Sequence, residues 1–195
     1  DNEKSFVSLA TTLIPMELLL KSSEIIDGTY SKKDMKSYLE FTFNNSEKYS
    51  NYPFNFKNLG IEVMSGSDTA CPATTLESNL IESGTAPVVI HDKGSFCHGR
   101  SNLINNNPTN AMLYLNHSES ELDKLLLELL KSEYPHIINL TSPLSVNSQL
   151  RKEFSLNLDA IYLSQKIASD NDIDMCMVDY NPKVINKIYK YRGEM

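Results

Sequence analysis

The sequence predicts an α/β fold: a Rossmann-like (flavodoxin-like) parallel sheet with helices on both faces, preceded by an N-terminal helical segment. Three observations carry this. Apolar runs of strand length recur at 59–68, 86–92, 110–116 and 136–142. Stretches with apolar residues at helical spacing separate them. The first run also passes through Ser65-Gly66-Ser67-Asp68 straight into a helix-like segment, which is half of a βαβ unit.

In chain order, SFVSLATTLIPMELLLKSSEIID (5–27) predicts a helix starting near Ser8, with a kink or a break into two helices at Pro15. SKKDMKSYLEFTFNNSEKY (31–49) reads as a second amphipathic helix, with Ser31 as its cap. SNYPFNFKN is a Pro- and Asn-bearing loop and the internal boundary: a helical segment over 1–50, an α/β domain with a C-terminal tail over 58–195. After the strand at 59–68, CPATTLESNLIESG (71–84) predicts a helix with Pro72 in its first turn and Gly84 as its stop. APVVIHD (86–92) and NAMLYLN (110–116) are strands. SESELDKLLLELLKSEYP follows as a leucine-striped helix, Ser118 and Glu121 having capping-box spacing. HIINLTS (136–142) is the next strand, and FSLNLDAIYLSQKIASDNDID the last long helix before a Tyr- and Lys-rich tail.

Composition narrows the function. The chain of 195 residues carries 18 Lys+Arg against 25 Asp+Glu, a net charge of −7, and its longest basic stretch is KVINKIYKYR. That balance argues against nucleic acid as a partner, which needs many phosphate-neutralising cations. A small anion stays open, because a few cations and backbone N–H groups suffice for one phosphate. The three cysteines, Cys71, Cys97 and Cys176, are odd in number and widely spaced, which argues against a zinc site or a disulfide scaffold and fits a cytoplasmic protein. No apolar run approaches 18 residues, so no membrane partner is expected. The chain opens on Asp1 and soon enters an apolar stretch, which reads as a piece of a longer protein with part of the machinery upstream.

Several side chains are candidates for chemistry. The turn Ser65, Gly66, Ser67, Asp68, Thr69 opens a helix and either holds an anion on its N–H groups or is simply a strand-to-helix turn. Glu77 and Glu82 are five apart, about 140° around the helix, so at most one faces a given cleft. Such a carboxylate either moves a proton between two sugar carbons or lies on a solvated surface. His98, beside Gly99, is either a general acid or base or an exposed loop histidine. His91, His117 and His136 show no such setting and read as structural. Cys97 and His98, adjacent in a turn, point apart and do not form a thiol pair. Lys183 and Lys187 are four apart and share a face if their segment is helical.

Taken together these motifs resemble the second half of sugar isomerase (SIS) domain proteins. The likeness is to the isomerase module of glucosamine-6-phosphate synthases, and still closer to little-characterised members with an HGR loop. TLESNLIE and SFCHGRSN echo that branch, and the sixteen residues from Glu82 to His98 match the family's interval from catalytic Glu to loop His. PKVINK matches the terminal Pro-Arg-x-x-x-Lys element and puts Lys187 on its lysine. SFVSLATTL resembles the segment closing the first SIS half, with Ser8 on a sugar-contacting serine. The resemblance implies a phosphosugar ligand and an aldose/ketose isomerisation through an enediol, with no cofactor and no metal. Glu82 would move the proton between C1 and C2, His98 would assist ring opening, and Lys187 would position the open chain. Ser8, Ser65, Gly66, Ser67, Thr69, Glu77, Arg100 and Lys183 would contact substrate. It further implies a homodimer or higher oligomer, with His98 donated in trans, and an upstream SIS half in the same or another chain. Against the family pattern, Arg100 replaces the usual Pro, Asn79 stands in place of a second lysine, and the first-half phosphate loop has no counterpart here. A non-catalytic sensing or dimerisation module is the competing expectation.

Overall fold

A run such as Ile-Glu-Val-Met-Ser, apolar on both sides of the chain, is stable only as a central strand covered on both faces. In the computed structural model it is β1 (Ile61–Ser65), buried along its whole length. The structure describes residues 9–29, 52, 54–96, 98–102, 109–117, 120–142, 149–175, 183 and 190. Its strands are β1, β2 (Val88–Asp92), β3 (Ala111–Asn116) and β4 (His136–Thr141), ordered β2-β1-β3-β4 and all parallel. The helices are α1 (Leu9–Ile26), α2 (Ala70–Glu82), α3 (Glu121–Glu133) and α4 (Gln149–Asp170). The predicted helix over 31–49 lies outside the described residues.

Strand alternation divides the core. Val63, Leu113 and Leu115 point to one face and meet Leu76 and Leu80 of α2 and Leu156, Leu163 and Ile167 of α4. Met64, Met112 and Tyr114 point to the other and meet Leu126, Leu127 and Leu130 of α3, with Phe96 from the loop after β2. Helices thus cover both faces of the sheet. Outside them, α1 docks on α4 through buried Leu20 and an ion pair of Glu24 with Arg151. No described helix is long and apolar enough to cross a membrane.

Local chemistry sets the boundaries. α2 starts one residue before Cys71, keeps Pro72 in its first turn, and ends in a Schellman turn. There the Thr85 N–H donates to Leu80 O at 2.9 Å and the Gly84 N–H to Ile81 O at 3.0 Å. Gly84 has φ +68 and open space where a Cβ would stand, so Gly84→Ala is expected to cost about 1 kcal/mol through the backbone alone. A urea melt measures it, and an unchanged midpoint would remove the argument.

Several boundaries differ from the sequence expectation, β1 being confined to Ile61–Ser65 within the run at 59–68. β2 begins at Val88, after Pro87. The cap of α3 is Ser120 with Asp123, two residues on from Ser118 and Glu121. α4 opens at Gln149, because its charged first turn hides the helical pattern that becomes plain only at Phe154. α1 continues through the exposed Pro15 as one helix, where the ring removes only one backbone bond.

Candidate functional site

With β1 flanked by β2 on one side and β3 on the other, the strand order reverses between β1 and β3. In open α/β sheets ligands bind in the crevice outside the carboxyl ends of the strands at this point. Here the Ser65–Thr69 turn leaves β1, Lys93 follows β2, and His117 follows β3.

The turn is closed on itself. Gly66 N–H donates to Thr69 Oγ1 at 2.9 Å, and Thr69 N–H to Gly66 O at 3.1 Å. Two of the N–H groups counted as anion donors are therefore used within the turn. Ser65 and Thr69 are buried, while Ser67 and Asp68 are exposed. Asp68 Oδ1 lies 2.7 Å from where a Gly66 Cβ would sit, so glycine lets the Asp68 side chain close over the turn, and Lys93 Cδ lies at ordinary contact distance, 3.8 Å, from the same point.

His117, 3% exposed, holds the turn from below. Its Nε2 stands 2.6 Å from the Asp68 carbonyl oxygen, which can only accept, so Nε2 is the donor. Its Nδ1 lies 2.9 Å from the Ser142 hydroxyl, which in turn reaches the Lys152 carbonyl of α4 at 2.9 Å. This buried histidine ties β1, β3, β4 and α4 together.

Lys93 brings an ammonium to the same end. Its Nζ donates to Asp123 Oδ1 at 2.8 Å and sits 4.7 Å over the Tyr114 ring. Tyr114 OH donates to the same oxygen at 2.7 Å, and Ser120 bonds Asp123 Oδ2 through both N–H and hydroxyl. Burial alone would raise the Asp123 carboxyl. The bonds from Lys93, Ser120 and Tyr114 outweigh it and hold the group well below the usual carboxylate range. Burial and the bond to Asp123 push the Tyr114 phenol up.

The other singled-out residues are spread out. Glu77 is half-buried on α2, and Glu82 is exposed at the far end of that helix, about 18 Å along the axis from Ala70. His98 and Arg100 are exposed on the loop after β2. That loop is anchored by Phe96 on the α3 face, whereas α2 covers the opposite face, and no described bond links Glu82 to His98. Lys183 is exposed. Ser8, Cys97 and Lys187 lie outside the described residues.

Sequence reasoning did not single out Lys93, Tyr114 or Asp123. A lysine directly after an apolar strand was the available signal. It also missed a second polar cluster at the amino end of the sheet. Glu62, 2% exposed, accepts from Tyr134 OH at 2.7 Å and Asn110 Nδ2 at 2.7 Å, and lies 2.9 Å from Nε2 of fully buried His91. Burial pushes this carboxyl up, and the bonds from His91, Tyr134 and Asn110 overcome that and leave it below its ordinary value. An open groove beside Gln165, Ser169, Asp172 and Met175 lies at the same amino end, where α4 meets the residues entering β1, away from the switch point.

No protein-family model matches the sequence, and no curated protein matches it. Solved structures do match the fold. A candidate sugar-binding protein from Salmonella typhimurium LT2 superposes with a TM-score of 0.51 at 17% identity, over 69% of this chain and 48% of that one. A candidate sugar-phosphate isomerase from Listeria monocytogenes superposes with a TM-score of 0.50 at 10% identity, over 74% of this chain and 94% of that one. The chain spans about half the length of the first of these. What it shares with both is the fold, a parallel α/β sheet with helices on its two faces.

Proposed function

We propose that the chain is a phosphosugar-binding domain that holds the phosphate at the switch-point turn. The observation that supports this best is the pairing of a helix-opening Gly/Ser turn with the Lys93 side chain lying against it at the carboxyl ends of β1 and β2. In the complete protein the domain isomerises an aldose/ketose phosphate. Glu82 takes the proton from C2 and returns it to C1 through an enediol, so no redox cofactor or metal is needed. His98 and Lys187 serve ring opening and positioning. Ser8, Glu77 and Lys183 line the sugar, and a second copy or an upstream half completes the site in the cytoplasm.

The second reading, a non-catalytic phosphosugar-sensing or dimerisation module, is favoured by one observation. Glu82 stands at the opposite end of α2 from the turn, so within one chain a single small sugar phosphate does not reach both. The enzyme reading needs a neighbouring chain or half; the sensing reading does not.

Backbone amide spectra titrated with pentose and hexose phosphates, the free sugars and inorganic phosphate test the reading. Phosphate and sugar phosphates are expected to shift Ser67, Asp68 and Lys93, and free sugars are not. No shift with any phosphate would remove the proposal. Solvent-proton exchange at C2 in the full-length protein then separates the two readings. Glu82→Gln is expected to lower that exchange by about 10²–10⁴-fold and leave binding intact. Binding without exchange in the wild type selects the sensor.

A further inference from the structure

The loop after β2 follows the open edge of the sheet. Ile61 N–H donates to Pro87 O and Lys93 N–H to Ser65 O, so odd-numbered residues of β2 face β1. The even-numbered ones, Val88, Ile90 and Asp92, therefore turn their backbone groups outward, where among the described residues no strand pairs with them. The loop folds back onto this edge. Arg100 Nη1 donates to the outward carbonyl of Ile90 at 2.9 Å, and Ser95 N–H to that of Asp92 at 3.2 Å. Between these two points stands His98, whose N–H donates to Ser95 O at 3.0 Å and whose ring is exposed and makes no described hydrogen bond.

We infer that Arg100 is a positioning residue. Its guanidinium latches the His98–Gly99–Arg100 turn to the Ile90 carbonyl and so fixes where the His98 ring is presented beyond the edge of β2. The loop has a second fixed point in fully buried Phe96, packed edge-on against His91 at 5.5 Å, and Ser101 N–H donates to Phe96 O at 3.1 Å. Phe96 holds the start of the loop, and the latch holds its far side. Without Arg100 the His98–Gly99–Arg100 turn would keep only bonds internal to its own loop, His98 N–H to Ser95 O and Asn102 N–H to Gly99 O, and none to the sheet edge. An exposed hydrogen bond adds little to global stability, but it restricts a short turn already held at its other end. Arg100 then acts on a ligand through His98, so the inference rests on His98 having a functional role, while the latch itself does not.

Backbone ¹⁵N relaxation on the whole chain tests the latch. In Arg100→Ala the order parameters of His98 and Gly99 are expected to fall from about 0.85 to below about 0.6, with Phe96 and β2 unchanged. Arg100→Lys, which still offers one donor to Ile90 O, is expected to restore most of the order. His98 as ordered in Arg100→Ala as in the wild type would overturn the inference, as would equal loss at Phe96, which marks general loosening. Where sugar-phosphate exchange is present, Arg100→Ala should lower kcat severalfold with KM nearly unchanged; a change confined to KM would make Arg100 a direct ligand contact and overturn the positioning role. Loss of His98 order without phosphate binding in any variant keeps the latch and removes the phosphosugar reading. Intact binding with unchanged order does the reverse.

Discussion

Glu62→Ala is expected to lower the unfolding free energy by about 3–5 kcal/mol, seen as a urea midpoint roughly 1–2 M below that of the wild type. The magnitude follows from what the substitution strands. His91, Tyr134 and Asn110 all converge on this carboxylate, His91 and Tyr134 are themselves buried, and the Nδ1 of His91 already lacks a partner. Removing Glu62 leaves three donors facing a cavity, and each buried donor left unpaired costs about 1–3 kcal/mol. Glu62→Gln keeps the shape and is expected to cost less, because His91 can change tautomer and Tyr134 can turn its hydroxyl. A loss below about 1 kcal/mol in Glu62→Ala would show that water enters the site and that the cluster is no closed network.

Acid gives an independent readout of the same cluster. The Glu62 carboxyl is more acidic in the folded chain than in the unfolded one, whose ordinary value is 4.5. Between the two values the unfolded state binds the extra proton, so stability rises with pH there. The contribution is complete above about pH 4.5 and disappears as pH falls through the lower folded value. Glu62→Gln should therefore flatten the acid limb of stability against pH. A limb as steep in the variant as in the wild type would place the acid dependence on other groups.

The sequence made the layers legible and the polar pairings opaque. β1 and β3 lie within a few residues of their predicted spans because Ile61, Val63 and Met64, broken only by Glu62, and the run from Ala111 to Leu115 are apolar stretches that turn residues end. Pro72 and Gly84 bracketed α2 because each constrains the backbone in a way few other residues do. Glu62 was passed over, although a carboxylate inside a buried strand demands partners. Which partners they are depends on the register that pairs Met64 with His91, and that register is set by crossover packing rather than by local pattern. Lys93 and Asp123 stand thirty residues apart and meet only because β1, β2 and β3 align in parallel. The Glu82–His98 interval was legible as spacing. Spacing does not carry geometry, since α2 and the His98 loop leave opposite ends of β2.

Asp123 couples stability to the proposed site, and its two substitutions should part company. Asp123→Ala is expected to cost about 3 kcal/mol, because it removes the side-chain half of the capping box, the carboxylate that accepts from the Ser120 N–H and hydroxyl, and leaves Lys93 and the Tyr114 hydroxyl without their shared oxygen. Asp123→Asn keeps the shape and most of the hydrogen bonds and is expected to cost about 1–2 kcal/mol. The folded carboxyl lies well below its ordinary value of 3.8, so its contribution is complete above that pH and fades only in stronger acid. At neutral pH the two chains therefore differ by a full charge next to Lys93. In the wild type Asp123 neutralises the ammonium of Lys93, whose aliphatic chain passes the Gly66 turn; in Asp123→Asn the carboxylate that pairs with this ammonium is gone. If the turn is a phosphate site, Asp123→Asn should bind inorganic phosphate more tightly than the wild type while being less stable, and the gain should shrink with added salt. Weaker or equal binding in Asp123→Asn would show that Lys93 serves the fold alone, and the anion would then have to be held by the turn without it.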